Sequence, residues 1–299
     1  MGPERKVRIV TDSTARITPE EIDRYGIGVA RLNINVNKDK KFFETFKDDF
    51  TTDPKDFVKK LGDNSLDIKT SSPTPGEFLS IYEQSKDRPI LTMLMSSKLS
   101  KGTYEAAGSA KEYGGYNNVE IINTENVCLL RRQVVNAAIL AEQGKSIRQI
   151  INQFEYSKKR SVLYVALDKL DQLKKSGRVS GVQEIAAKIL GKKLILEVRN
   201  DNALKYETTQ GIDKAVELME NITLSLKPTE ICIFHGGDER FKEMAINLTE
   251  DMRQRTDNKI NVSYDYAGRL LTTHTGAQVI AIGAFTEDQI PEKVIYKAK

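Results

Sequence analysis

The stretch Val7-Arg8-Ile9-Val10-Thr11-Asp12, with Ser13-Thr14 behind it and Thr18-Pro19-Glu20-Glu21 a few residues on, decides the fold class. Its apolar part reads as a short strand, and its polar part as the loop at the strand's carboxyl end. Thr18 can cap a helix, Pro19 suits the first helical position, and Glu21 completes a capping box. The same order then recurs. Asp53-Pro54 opens a helix carrying Phe57, Val58 and Leu61, and Thr74-Pro75-Gly76-Glu77 opens one carrying Phe78, Ile81 and Tyr82. Residues 89–95 read as a buried strand, a helix starts near Thr103, 119–122 form a strand and 127–141 a helix. Strands alternating with helices predict an α/β protein whose N-terminal sheet is mostly parallel and flanked by helices.

An amphipathic segment, 147–154, is followed by the basic run Lys158-Lys159-Arg160 and a fresh strand at 162–167. This places a boundary near 158, with an N-terminal α/β domain over 5–158 and a C-terminal α+β domain over 159–288. In the second, 194–198 and 204–208 flank Asn200-Asp201-Asn202, a hairpin turn. Helices near 211–225 and 239–254 and strands near 230–234, 259–265 and 278–285 complete it.

Composition removes several function classes. At 299 residues with 39% apolar side chains, the chain can bury roughly 75% of its extended surface. The 46 basic and 42 acidic residues leave a net charge of +4 spread over the chain, which predicts no nucleic-acid partner. The apolar run Val279-Ile280-Ala281-Ile282 falls far short of the roughly 18 residues of a membrane span. Transient contact with a membrane surface stays open. Met1-Gly2-Pro3-Glu4-Arg5-Lys6 has no signal-peptide character, so a cytoplasmic protein is expected. Cys128 and Cys232 lie among aliphatic residues and read as small buried hydrophobes. With His235 and His274 as the remaining candidate ligands, no metal site is expected.

In open parallel sheets, ligands bind beyond the carboxyl ends of the strands. Three hydroxyl-rich segments map there: Thr11-Asp12-Ser13-Thr14, Thr70-Ser71-Ser72-Pro73-Thr74-Pro75, and Ser96-Ser97 with Ser100. Hydroxyls and backbone amides can hold a carboxylate or phosphate; taken singly, the segments also suit caps and turns. A fourth segment, Thr272-Thr273-His274-Thr275-Gly276, reads as a loop before the last strand. There His274 can donate to an anion and, near its ordinary pKa of about 6.5, can carry charge. His235, at another strand end, reads as structural. Arg178, in Gly177-Arg178-Val179-Ser180, offers a planar fork for an anion or caps a helix end. No nucleotide-binding glycine pattern or paired-carboxylate motif is present.

Read together, Ile9-Val10-Thr11-Asp12-Ser13-Thr14, Thr70 to Phe78, Ser96-Ser97-Lys98-Leu99-Ser100, Ser176-Gly177-Arg178-Val179-Ser180 and Thr273-His274-Thr275-Gly276 resemble the DegV family. The resemblance spans residues 6–286 with the motifs in family order. The family includes the fatty-acid-binding subunit of bacterial fatty acid kinase. The resemblance implies a two-domain α/β fold of EDD type with the ligand between the domains, a long-chain fatty acid whose tail fills an apolar tunnel. It further implies that Thr70 and Ser71, with Ser96 or Ser97, hold the carboxylate and that His274 hydrogen-bonds near it. Arg178 and Thr275 would lie at the rim, towards ligand or partner. A separate ATP-binding kinase subunit would phosphorylate the carboxylate, so the chain would have no catalysis of its own and no cofactor beyond the bound lipid.

Three departures from the family pattern bear on this. Ser100-Lys101-Gly102-Thr103 is one residue longer than usual, which is expected to reshape the loop aiming Ser96 and Ser97. Arg131 and Arg132 stand where small residues are common, and would narrow the tunnel mouth, change the acyl preference or dock another partner. Ala277-Gln278 replaces the usual Pro-Gly. Two other readings stand beside the lipid carrier. One is a hydrolase or acyltransferase with Ser97 as nucleophile, His274 as base and Asp12 orienting it. The other is a regulatory module that has lost its lipid.

Overall fold

The computed structural model describes residues 6–39, 41–50, 53–178 and 191–291. The chain forms two compact units. One comprises Met1–Thr51 with Asn64–Tyr156, the other Thr52–Asp63 with Ser157–Lys299. A single cut near 158 therefore does not describe the molecule, because the excursion 52–63 joins the later unit.

In the first unit, β1 (Arg8–Asp12), β2 (Gly28–Ala30), β6 (Ile90–Leu94) and β7 (Val119–Asn123) form a wholly parallel sheet in the order β2-β1-β6-β7. Helices α3 (Pro75–Glu83) and α4 (Lys101–Gly114) cover one face, where Phe78, Tyr82, Ala107 and Ala110 pack on Val10, Ile90 and Leu94. Helix α5 (Leu130–Glu142) packs against β1 and against α1 (Pro19–Tyr25). The cap predicted for α1 is present: Glu21 N–H donates to Thr18 Oγ1 at 3.2 Å and Thr18 N–H to Glu21 Oε2 at 2.9 Å. The Glu21 carboxylate also receives Arg131 Nε and Nη2 at 3.1–3.2 Å. Arg131 thus ties α5 to α1. Arg132 is exposed.

Four strands went unrecognised in the sequence: β2 and the antiparallel trio β3 (Asn33–Lys38), β4 (Lys41–Lys47) and β5 (Leu66–Ser71), ordered β4-β3-β5. Asn33-Ile34-Asn35-Val36-Asn37 alternates with period two, Ile34 and Val36 being buried. Asparagine is scarce in strands, which masked the pattern.

The second unit is built on a six-stranded mixed sheet, β10-β9-β8-β13-β11-β12. Its strands are β8 (Ser161–Leu167), β9 (Lys193–Arg199), β10 (Asn202–Thr209), β11 (Pro228–His235), β12 (Asn261–Tyr266) and β13 (Val279–Thr286). The predicted hairpin joins β9 to β10, with Asn200 and Asp201 both at positive φ, 51° and 60°, as a tight two-residue turn requires. Helices α8 (Ile212–Ser225) and α9 (Glu239–Arg255) pack Met219, Ile222, Phe241 and Met252 onto Tyr164, Ile231 and Ile282. A smaller cluster of Leu167, Leu194, Leu196 and Val279 seats Leu173 of α7 (Asp171–Ser176). Helix α6 (Ile147–Lys158) spans the boundary in the chain, and α2 (Lys55–Gly62) belongs to this second unit. Gly237 marks how closely α2 approaches. Its φ is +100°, and a Cβ there would lie 2.8 Å from Pro54 and 2.9 Å from Val58.

Candidate functional site

At the carboxyl end of β1 the first hydroxyl segment is occupied by the fold itself. Asp12 is wholly buried; its Oδ1 accepts from the backbone N–H and hydroxyl of Thr14, and its Oδ2 accepts from Met95 N–H at 2.8 Å. Burial pushes its carboxyl pKa up, and the hydrogen bonds from Met95 and Thr14 pull against that shift. Thr11 donates to Met93 O at 2.8 Å, and Ser13 donates to Asp48 at 2.9 Å while accepting from Leu32 N–H. The segment latches β1 to β6, so its hydroxyls are spent on turns and ties. Both Asp12 oxygens being so engaged, it is not poised to orient an imidazole.

The loop after β6 is different in kind. Ser96 is buried and Ser97 half-buried. Ser97 is held by Asn123, the last residue of β7: Asn123 Oδ1 accepts from Ser97 N–H at 3.1 Å, and Asn123 Nδ2 donates to Ser97 Oγ at 2.8 Å. Sequence reasoning missed Asn123. Its signal was its position at the carboxyl end of a parallel strand, one strand over from Ser97. Beyond the loop, Lys101 is the first residue of α4 and pairs with Glu105 at 2.9 Å. The helix begins two positions earlier than expected.

The third segment ends β5, in the antiparallel sheet and not in the parallel one. Strand alternation separates its two candidates. Thr70 shares a face with Leu66 and Ile68 and pairs across from buried Ile34. Ser71 lies on the exposed face, where its Oγ accepts from Asn33 Nδ2 at 3.3 Å and Asn35 Nδ2 at 3.2 Å. One head group cannot take both from the same face. The segment nonetheless meets the β6 loop: Ser72 Oγ lies 3.4 Å from Ser100 Oγ, which is 2.8 Å from Thr103 Oγ1. Gly102 makes the approach possible, since a Cβ there would sit 2.6 Å from Ser72 Oγ. Two of the three hydroxyl segments therefore converge within the first unit.

In the second unit His274 lies on a short helix, α10 (Arg269–Thr275), and not in a loop. Thr273 and Thr275 donate their hydroxyls back to Arg269 O at 2.9 Å and Leu271 O at 3.1 Å, and Thr272 donates to Gly236 O. With its one proton committed to backbone carbonyls, Thr275 can only accept, which a carboxylate does not need. Helix α10 packs on α7, bringing the His-Thr-Gly and Gly-Arg segments into one neighbourhood. Arg178 is exposed; its Nη1 donates to Ser176 O at 3.2 Å after Gly177 closes α7 at φ +62°. His235 is buried, its Nδ1 accepting from Gly237 N–H at 3.2 Å, and is structural as expected.

Burial first, and then the Arg178 charge, push the His274 pKa down to about 4. The ring is thus neutral at pH 7, contrary to the expectation that it is poised to carry charge. The unfolded chain binds a proton near the ordinary value of 6.5 and the folded one does not. Stability is then fully present above about 6.5 and falls as pH drops towards about 4, by on the order of 1–2 kcal/mol for a half-buried ring. Denaturation midpoints across that range should fall in the parent protein and fall less in His274→Gln. Equal pH dependence in both would refute the assignment.

Cys128 and Cys232 are half-buried and not joined in a disulfide. Among the described residues no group of His, Cys, Asp and Glu is placed to hold a metal, and no helix is long and apolar enough to cross a membrane.

Comparison with known proteins agrees with the sequence motifs. A family model described as an uncharacterised protein of the DegV family matches residues 6–287. A DegV domain-containing protein of Staphylococcus aureus (strain N315) is 24% identical over 284 residues, covering 93% of this chain and 96% of its own. Among solved structures, DegV from Bacillus subtilis, described as a fatty acid binding protein, superposes with a TM-score of 0.78 at 25% identity, over 95% of this chain and 100% of its own. A stearic acid-binding protein from Eubacterium ventriosum gives 0.78 at 19% identity, over 94% and 98%.

Proposed function

This chain belongs to the DegV family, and from that premise we propose that it binds a long-chain fatty acid and presents the carboxylate to a separate ATP-dependent kinase subunit in the cytoplasm. The observation that carries the reading is the meeting of the β5 and β6 loops through Ser72 and Ser100, with Thr70 turned to the buried face and Ser97 fixed by Asn123. Such hydroxyls orient a carboxylate without a buried cation. The acyl tail supplies the affinity, at about 0.8 kcal/mol for each methylene removed from water. Thr70, Ser96 and Ser97 are the head-group residues of this reading, and Ser71 is not. His274 enters through the family pattern alone. A carboxylate beside it favours the imidazolium, so its titration should move up from about 4 when ligand is added if it takes part. The chain supplies binding and orientation, and the phosphoryl transfer belongs to the partner that holds ATP, feeding phospholipid synthesis.

The test is solvent extraction of protein purified from a bacterial host, followed by mass spectrometry and titration of the stripped protein with palmitate and oleate. A fatty acid in the extract and saturable binding are expected. An empty protein that also fails to bind either acid overturns the reading. Acyl phosphate should form only when a kinase subunit and ATP are both added.

A further inference from the structure

Phe42 and Phe43 lie beside the tip of the β3–β4 hairpin, 70% and 59% exposed. Strand β4 is one of the two outer strands of its sheet. The pairing register shifts at this point: Val36 faces Glu44 and Asn37 faces Phe42, leaving Phe43 as an extra residue. A bulge of this kind breaks the strict alternation of an edge strand and re-aims its side chains, here displaying two neighbouring phenyl rings to solvent. At the tip, Lys38 and Lys41 are paired directly across the turn, and both are exposed. Like charges placed opposite each other repel. The turn reads Lys38-Asp39-Lys40-Lys41, three cations against one carboxylate. Exposed rings and facing lysines both cost free energy in water. Both gain from an apolar medium lying beneath an anionic surface.

We propose that the β3–β4 hairpin is a docking surface for anionic lipid bilayers. Phe42 and Phe43 enter the boundary between head groups and acyl chains, and Lys38 and Lys41 engage lipid phosphates. Area argues for a bilayer over a protein partner. Two rings at these exposures offer roughly 250 Å², against about 800 Å² per partner in a specific protein interface. Insertion into a fluid layer needs no matching surface, and each lysine near an anionic leaflet strengthens partitioning about fivefold. The inference does not rest on the fatty-acid reading; a fatty acid extracted from the protein neither supports nor weakens it.

The test is flotation of the full chain with phosphatidylcholine vesicles, with and without phosphatidylglycerol. Binding is expected only with phosphatidylglycerol, and it should fall about tenfold in Phe42→Ser/Phe43→Ser and by more than about 25-fold in Lys38→Glu/Lys41→Glu, where two charges are lost and then reversed. Tyr113→Ser, which removes an aromatic ring 86% exposed elsewhere on the same unit, should leave it unchanged. The chain contains no tryptophan, so Phe43→Trp installs a single reporter. Its emission should shift to the blue with phosphatidylglycerol vesicles and be quenched by brominated lipid. Absence of flotation, flotation insensitive to the double phenylalanine variant, or an unmoved emission from the Phe43→Trp variant each overturns the proposal. A dimer in solution that the double phenylalanine variant dissolves would assign the hairpin to a second copy and overturn it equally.

Discussion

Asp12→Ala should lower the melting temperature by about 10 °C, a large stability effect for the loss of one polar side chain. The carboxylate is fully buried and joins the ends of β1 and β6 by accepting from Thr14 and Met95. Alanine leaves the Met95 and Thr14 N–H groups buried without their acceptor, a loss of about 3–4 kcal/mol. Asp12→Asn is no rescue, because its amide would turn a donor towards N–H donors that already converge on that position. Calorimetry of the two variants should therefore give similar losses. An asparagine variant that melts with the parent would show that the latch is not held by acceptors, and the account of the β1 loop would be wrong.

Thr70→Val combined with Ser97→Ala should weaken fatty-acid binding about 100-fold, since each hydroxyl removed from a carboxylate costs about 1.5 kcal/mol and every 1.4 kcal/mol is tenfold. Valine keeps the shape of threonine and its packing near Ile34, so the loss should appear chiefly in affinity. Ser71→Ala is the internal control. Its Oγ is on the outer face, bonded to Asn33 and Asn35, and removing it should leave affinity within twofold, that is, within about 0.4 kcal/mol. Competition against a fluorescent fatty acid on stripped protein reads all of these. Should Ser71→Ala weaken binding as much as Thr70→Val, the face assignment in β5 fails.

The helix starts were legible because caps are local chemistry. Thr18 with Glu21 closes the box that its spacing announces, and Thr74 N–H donates to Glu77 Oε2 at 3.0 Å at the start of α3. The parallel sheet followed from strands recurring between helices. What escaped depended on neighbours distant in sequence. Helix α10 is rich in threonine, a poor helix former, and forms because Leu270, Thr272 and Thr273 are buried and the threonine hydroxyls bond to the helix's own carbonyls or to Gly236. Gly268 and Gly276 bracket it and were the available signal. The three-stranded sheet hid behind asparagines. At the candidate site the residue types were readable, but which hydroxyls were already employed was not. Thr11, Ser13 and Thr14 look like Thr70 and Ser97 in sequence, and only the structure shows the first three tied to Met93 O, Asp48 and Asp12.

The excursion of residues 52–63 into the second unit has a consequence for biosynthesis. The polypeptide passes from one unit to the other at 51/52, 63/64 and 156/157. A nascent chain emerging from the ribosome presents α2, with its buried Phe57, long before the strands that will shelter it have been translated. Truncation after residue 156 would leave that amphipathic helix orphaned, so an excised N-terminal fragment should be sticky unless 52–63 is replaced by a polar linker. Two packed bodies exist, but no single snip of the chain yields them both.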